Sequence, residues 1–450
     1  MAPKISFMKF DKLVLLFGLF LSLISVYGKE LGDTPYFVLM IMSVLIIINR
    51  TVNAAFGWSL VLKTNFRHRG HSKIDKLFSK TLILVLAGVV MSWGYGALLG
   101  VINLVPFEYV FRNYFGLLLY LLVPIIIMVS PNSKELIYTV MLAGLVQAAY
   151  GFTSVITGLL YDPYRFLIES NFYEARSLYS TGYVAIFPLF TLTFAMLILP
   201  KKSYLGFFNK TISTGKLTIV CLLSLCALIV PSMSKGYMLA AILLAALLIA
   251  ISLYYSIITR KVNRRQLLII LFVLAFSSYL TIFHSDLIVY NFSSSEDSNF
   301  VRSEQYSYLI AELDWLGHGL GSSLASGYAR DETGYGMELS YLNLIHKLGV
   351  LSVFLFTSYF ITIVVSVLRI IRGIALSESI FSIGLMGYLI VGAGNPVLIS
   401  PTGVTLHSIA IYILLKPFIT RNILRSNCAV GIRGRPFLSP SSVPQSSDHS

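Results

Sequence analysis

The stretch "WLGHGLGSSLASGYARDETGYGMELSYLNLIHKLGV", residues 315–350, is a polar, glycine-rich passage in a chain otherwise dominated by apolar runs. Its first part, "GHGLGSS" at 317–323, predicts tight turns and close backbone approach, because glycine reaches backbone angles that other residues avoid. We name residues 317–323 the glycine turn. On which side of a membrane this passage lies is decided by the apolar runs around it.

The second part of the same stretch predicts a short amphipathic helix over 338–348. Leu339, Leu342 and Ile345 recur at helical spacing, which is typical of one apolar helix face. Glu338 lies at the start of this helix, and the helix leads directly into the next apolar run. We therefore expect Glu338 near a membrane surface.

Composition places the whole chain in a membrane. Of its 450 residues, 56% are hydrophobic and 12% are charged, against about 25% charged in an average soluble domain. A helix needs roughly 20 largely apolar residues to cross the hydrocarbon core. Twelve candidate runs lie near 13–27, 35–49, 81–105, 109–129, 135–160, 181–199, 217–231, 236–258, 267–284, 349–368, 379–394 and 403–418. The sequence thus predicts an all-α polytopic membrane protein with about twelve transmembrane helices.

The distribution of charge predicts the orientation, because lysine and arginine in short loops stay on the cytoplasmic side. With the N-terminus inside and each run crossing once, 26 of the 34 Lys and Arg residues are cytoplasmic and 8 are external. Of the 20 acidic residues, 15 are external. This skew predicts two cytoplasmic termini and a large external loop, 285–337, between the ninth and tenth helices.

The remaining segments follow from this topology. Residues 1–425 form a single transmembrane domain, and the Ser- and Pro-rich segment 426–450 is expected to be a disordered cytoplasmic tail. The basic segment 50–80 predicts a cytoplasmic loop that contacts anionic lipid, and 161–180 predicts a second external loop. The net charge of +14 is therefore mostly a property of cytoplasmic loops and does not indicate nucleic-acid binding.

The positions of the charges also argue against two classes of membrane protein. Ion-coupled carriers keep ionisable groups inside their spans, whereas His407 is the one central candidate here. An enzyme that uses cytoplasmic nucleotide sugars needs clustered acids and a metal on the inside, but the inside acids are scattered. The sequence favours a site on the outer face that needs neither metal nor cofactor.

External cations are scarce, which draws attention to Arg176 and Arg302. Two interpretations of each remain open: an interfacial arginine paired with a neighbouring acid, or a clamp on a phosphate, whose oxygens a guanidinium fits in bidentate fashion. The loop 285–337 carries a net charge of −6. Any phosphate site within it must therefore be formed by precisely placed side chains and not by a positive charge spread over the loop.

"GHGLGSS" followed by "ELSYLNLIHKLGVLSVFLF" resembles the C-terminal motif shared by the O-antigen polymerase (Wzy-type) and O-antigen ligase families. That motif is a Gly-x-Gly turn, then His-Asn-x-Tyr-Leu, then a Gly seven positions after the Leu. Tyr341, Leu342 and Gly349 match it in register. The family's His-Asn pair reads Glu338-Leu339 here. Ligases commonly have the histidine, so this departure favours a polymerase.

Three further segments carry the resemblance. "RSEQYSYLIAELDWLGHGLG" and "RSLYSTGYVAIFPLF" resemble the family's two external arginine segments, at Arg302 and Arg176. "PSMSKGYMLAAILL" resembles the Ser-Arg-Gly start of a middle span, with Lys235 in place of arginine. These motifs lie mainly between residues 176 and 350.

The resemblance implies a GT-C-like glycosyltransferase architecture in the bacterial plasma (inner) membrane. It implies an enzyme that polymerises undecaprenyl-diphosphate-linked oligosaccharide repeat units for lipopolysaccharide O-antigen, capsule or exopolysaccharide, with inversion and without metal, on the outer face. Its partners would be polyprenyl-diphosphate-linked donor and acceptor, membrane lipid and a chain-length regulator protein.

The resemblance and the residue chemistry together suggest roles. Arg176 and Arg302 would hold the leaving diphosphate, and Glu338 would accept the acceptor's proton, with a helix cap as its alternative role. Gly319 and Gly321 would let the backbone approach the sugars. The other candidates are His318 and Arg330 for substrate contact or a surface role, Tyr341 for packing, and His346 and Lys347 for a solvated helix face.

Two alternative functions stay open. One is a ligase that moves a finished glycan to another lipid or protein. The other is a flippase or transporter of lipid-linked sugars, which would want ionisable groups within its spans.

Overall fold

The computed structural model describes residues 3–24, 34–55, 73–112, 114–161, 183–199, 213–229, 234–259, 266–268, 270–271, 275, 278, 282, 293, 297–328, 337–395 and 397–430. Within these residues the regular secondary structure is entirely helical. The helices are α1 Pro3–Ile24, α2 Thr34–Ala55, α3 Lys73–Ile102, α4 Phe107–Arg112, α5 Phe115–Leu118, α6 Leu122–Val129, α7 Ser133–Tyr161, α8 Ile186–Ile198, α9 Thr214–Ile229, α10 Lys235–Thr259, α11 Asp297–Ala311, α12 Ser340–Leu348, α13 Ser352–Ile371, α14 Leu376–Ile383, α15 Leu385–Val391 and α16 Pro401–Val430.

Four helical segments in the described part of the chain are long and apolar enough to cross a membrane. They are Lys80–Ile102, Ser133–Thr153, Lys235–Ile258 and Ser340–Ile371. Shorter apolar helices cover Pro35–Asn49, Phe115–Val129, Ile186–Ile198, Thr214–Ile229 and Leu376–Val391. The long segments expose much of their apolar surface, with 33–50% of each segment's most apolar window buried, as expected of helices that face lipid. The prediction of an all-helical membrane protein is supported to this extent.

Two helices form the centre of the bundle because they are buried on nearly every side. In α8, residues 186–195 are all buried, and in α16 residues 402–415 are all buried. A helix that is covered all round belongs to the interior of a bundle. α8 packs against α7, α9 and α14, and α16 packs against α1 and α6.

The predicted run 109–129 is divided between α4 and a helical stretch that begins at Phe115. That stretch tightens to a 3₁₀ turn at Leu119–Leu121. Pro124 accounts for the tightening, because it has no N–H for the carbonyl of Tyr120 and its ring crowds the preceding turn. The candidate run near 109–129 is therefore not one continuous α-helix.

Two other predicted boundaries shift. The helix predicted over 338–348 begins at Ser340. α16 continues to Val430 and so includes residues 426–430 of the segment predicted as a tail. No proline or glycine lies between Pro417 and Gly431 to stop this helix. The rest of the predicted tail, the loop 161–180 and most of the run 267–284 lie outside the described residues.

The described part of the large loop folds onto the bundle. After α11 the chain forms a small core of its own, in which Leu309, Leu324 and Met337 are buried together. Tyr308 and Tyr328 stack on its edge with ring centroids 4.9 Å apart. This core fixes α11 beside α12, and the candidate site lies where these two helices meet.

Candidate functional site

The helix α11 carries two polar side chains toward the start of α12. Arg302 and Gln305 are three residues apart, and positions i and i+3 of a helix share one face. Gln305 is only 1% exposed, whereas Glu304 between them is exposed to solvent. α11 therefore presents an arginine and a glutamine together to the segment that contains Glu338.

Arg302 and Glu338 form an ion pair, with 3.0 Å between Arg302 Nε and Glu338 Oε2. Their side chains are 19% and 16% exposed, so the pair is largely shielded from water but still reachable. The single hydrogen of Arg302 Nε is donated to the carbonyl of Gly394 at 3.2 Å, and Nη1 donates to Asn299 Oδ1 at 3.5 Å. Two of the residues that were predicted to act on the substrate therefore contact each other.

The main chain at Glu338 is held by α11 as well. Gln305 Oε1 accepts hydrogen bonds from the N–H of Glu338 at 2.9 Å and from the N–H of Leu339 at 3.1 Å. Glu338 lies two positions before Ser340, the first helical residue of α12. Both its backbone and its carboxylate are fixed by residues of a different helix.

A turn after α15 forms the third wall of the site. Ser340 Oγ donates to the carbonyl of Asn395, and Arg302 reaches Gly394 in the same turn. A Cβ on Gly236 would lie 3.4 Å from Asn395 Nδ2, so the start of α10, next to Lys235, reaches this turn too. Three segments that carry candidate or motif residues therefore converge on this turn.

The glycine turn packs against the protein's own backbone. Gly319 has φ +87°, and a Cβ there would lie 2.3 Å from the nitrogen of Gly100 in α3. The N–H of Leu320 donates to the carbonyl of Gly96 at 2.8 Å, and a Cβ on Gly321 would lie 2.8 Å from Val110 N. Close contacts within the chain account for these glycines, and their approach to sugars stays a prediction.

The glycine turn also covers the end of α12. The N–H groups of His318 and Gly319 donate to the carbonyls of His346 and Lys347, at 2.9 and 3.0 Å. The rings of His318 and His346 stack with centroids 4.4 Å apart. The Nζ of Lys347 donates to the carbonyl of Ser322. His346 and Lys347 are both 0% exposed, so their predicted place on a solvated face is wrong.

The helix α12 turns its polar face, and not its apolar stripe, toward the interior of the protein. Its polar residues Ser340, Asn343, His346 and Lys347 are buried, while Leu342 and Ile345 of the predicted apolar stripe are only partly buried. In a membrane bundle, polar side chains face the interior and apolar ones face lipid. An amphipathic helix of a soluble protein has the reverse arrangement.

Glu312, at the end of α11, anchors the loop that follows. Its carboxylate accepts the N–H of Ala325 at 2.7 Å and of Ser326 at 2.9 Å, and lies 3.9 Å from His346 Nε2. Burial acts to raise the pKa of Glu312, but the hydrogen bonds from Ser326 and Ala325 outweigh it, so this pKa lies below its usual value. The carboxylate is thus kept charged as a structural acceptor.

The other candidates divide into placed and unplaced residues. Tyr341 packs as predicted: its hydroxyl donates to the carbonyl of Leu389 at 2.8 Å, and its ring lies against Phe356. His407 lies in the bundle interior with both ring nitrogens engaged, by Tyr120 at 2.8 Å and Thr362 at 3.1 Å. Arg176 and Arg330 lie outside the described residues. No group of three or more His, Cys, Asp or Glu residues in the described part of the chain could hold a metal ion.

Two parts of this junction of helices were not predicted from the sequence. Gln305 follows Arg302 at helical spacing, which was the available signal for a shared face. The turn at Gly394 and Asn395 stands in "GAGNP", a composition typical of a tight turn at the end of an apolar run.

No family model matches the chain, and no curated protein matches it. The resemblance to the O-antigen polymerase and ligase families therefore rests on the motif residues themselves. Of these, Lys235, Arg302, Glu338 and the glycine turn lie in described segments, and the first three border the same junction of helices.

Proposed function

We propose that this protein is a polymerase of lipid-diphosphate-linked oligosaccharide repeat units, with about twelve spans in a GT-C-like arrangement and its site on the outer face of a bacterial plasma membrane. The observation that carries the proposal is the contact between Arg302 and Glu338. A cation suited to a diphosphate and a carboxylate suited to a proton lie side by side in a partly shielded junction.

The reaction needs one bond made and one broken. An acceptor hydroxyl attacks the anomeric carbon of the donor sugar, and the bond from that carbon to the lipid diphosphate breaks with inversion. Glu338 takes the hydroxyl proton. Arg302, together with Arg176, stabilises the charge that develops on the leaving diphosphate. Gly319, Gly321, His318 and Arg330 would contribute contacts to the sugars, and no metal or cofactor takes part.

The ion pair itself suggests how binding prepares the base. A diphosphate that arrives at Arg302 competes with Glu338 for the same guanidinium, because charged hydrogen bonds to phosphate are strong. Donor binding therefore opens the ion pair and frees the carboxylate for the acceptor hydroxyl. Without donor, Arg302 neutralises Glu338, whose carboxylate would otherwise be costly to keep in a shielded position.

The test is Glu338→Gln in purified protein, supplied with lipid-linked repeat units extracted from cells that lack this chain. Glutamine keeps the shape and loses the basicity, so we expect turnover to fall about 10²–10⁴-fold while donor binding is retained. Glu304→Gln, on the exposed side of α11, is the matched control and should behave as wild type. Turnover of Glu338→Gln within about threefold of wild type, on the same scale, would mean that Glu338 is not the base.

The alternatives are separated in cells. Deletion of a polymerase removes long surface glycans and leaves a single repeat, whereas deletion of a ligase or of a flippase removes every repeat. Gel analysis of surface glycan from the deletion strain distinguishes these outcomes, and loss of every repeat would refute the polymerase proposal.

A further inference from the structure

We infer that Gln305 is the positioning residue that sets Glu338 beside Arg302, an inference that rests on the proposed function. Gln305 Oε1 accepts two consecutive main-chain N–H groups, those of Glu338 and Leu339. Arg302, one turn earlier on the same helix, holds the carboxylate of the same residue. α11 thus fixes Glu338 at two points, its backbone and its side chain.

The orientation of the Gln305 amide follows from its partners. Both neighbours are N–H donors, so the oxygen must face them and the NH₂ group must face away. No apolar side chain could replace this oxygen without leaving two shielded N–H groups unsatisfied. The shape of the site therefore requires an acceptor at position 305.

The arrangement also shows why the positioning matters when the donor binds. Once a diphosphate displaces Glu338 from Arg302, the ion pair no longer holds the carboxylate. The two hydrogen bonds to Gln305 do not involve the guanidinium for which the diphosphate competes, so they remain. Gln305 is then what keeps Glu338 in reach of the acceptor hydroxyl.

A purely structural role for Gln305 gives different expectations. If the glutamine only attached α11 to α12, its loss would weaken the fold, donor binding and turnover together. If it acts through Glu338, its loss should slow the chemical step and leave donor binding intact. It should also have no further effect once Glu338 has lost its basicity.

The experiment compares Gln305→Leu, Glu338→Gln and the double variant in purified protein, with Glu304→Gln as the control on the same helix. Turnover is measured with extracted lipid-linked repeat units, and affinity is measured with undecaprenyl diphosphate as the probe. Since a misplacement of about 1 Å can cost about 10²-fold, we expect Gln305→Leu to lower turnover roughly 10–100-fold with affinity within about twofold of wild type. The double variant should be no slower than Glu338→Gln alone.

Hydrogen exchange of the peptide that begins at Met337 gives a readout independent of activity. The amides of Glu338 and Leu339 should exchange faster in Gln305→Leu and keep their protection in Gln305→Glu, which retains an acceptor oxygen. If Gln305→Leu does not fold, Gln305→Glu still tests the inference. An acceptor oxygen at position 305 should keep the amides of Glu338 and Leu339 protected in that variant.

Three results would overturn the inference. They are losses of turnover in the double variant that multiply those of the single variants, a parallel fall in affinity for undecaprenyl diphosphate, and unchanged hydrogen exchange at residues 338–339 in Gln305→Leu. If wild-type protein makes no polymer, the proposed function fails, and the exchange data alone then decide whether Gln305 fixes Glu338.

Discussion

Replacing Gly319 with alanine tests how tightly the glycine turn is packed. An alanine at φ +87° enters a left-handed conformation that costs about 1–2 kcal/mol. Its Cβ would also lie 2.3 Å from Gly100 N and 2.6 Å from Gly100 Cα. Those are backbone atoms of α3, which move only at the cost of overpacking, about 1–3 kcal/mol. The two effects together predict a loss of about 2–5 kcal/mol in the free energy of unfolding.

Gly327 provides the matched control. It has φ +72°, but no atom of the described residues lies within 4 Å of a Cβ placed there. Gly327→Ala should therefore lose only the conformational part, about 1–2 kcal/mol. Comparing the two variants separates the cost of the backbone angle from the cost of the collision with α3.

The assay is unfolding of the purified protein in mixed detergent, with the fraction unfolded followed by SDS titration. The expected order of stability is wild type, then Gly327→Ala, then Gly319→Ala. Equal losses in the two variants would refute the packing of residue 319 on α3. The approach of Gly319 to a sugar would then be the better reason for a glycine at this position.

Two further predictions concern Arg302 and topology. Arg302→Lys keeps a charge for Glu338 but cannot reproduce the planar fork on a diphosphate. Since a charged hydrogen bond contributes about 1.5–3 kcal/mol, binding of undecaprenyl diphosphate should weaken about 10–100-fold. Wild-type affinity would contradict the phosphate role. The skew of 26 cytoplasmic to 8 external basic residues predicts that an alkaline phosphatase fusion after residue 295 is active and that a fluorescent-protein fusion after residue 210 is bright; the opposite pattern would move the site to the cytoplasmic side.

The helical class was predictable because apolar runs of membrane length leave few alternatives to a helix, since every backbone polar group must be satisfied internally. The limits of the helices were less predictable. Pro124 tightens a turn inside one run, and α16 passes through Pro417 and continues to Val430. Both depend on where proline and glycine stand in the chain, which the apolar pattern used to place the runs does not report.

The chemistry of their side chains identified Arg302 and Glu338 separately as site candidates. The sequence does not indicate that these two residues, 36 positions apart, are in contact. That contact depends on Gln305 and on the turn at Gly394, neither of which carries a charge. The error at His346 and Lys347 has a different origin. Helical spacing identifies two faces of α12, but it does not indicate which face is turned inward. In a membrane bundle the polar face is turned inward.

The bond from Leu320 to Gly96 has a consequence for biosynthesis. Ribosomes add about 5–20 residues per second, and residue 320 is made roughly 220 residues after Gly96, so about 10–45 s separate the two. Throughout that interval the surface of α3 at Gly96 lacks its contacts with Leu320 and Leu348, although Val110 already borders Gly100. Lipid or the insertion machinery is expected to occupy that surface and to leave before the C-terminal third docks.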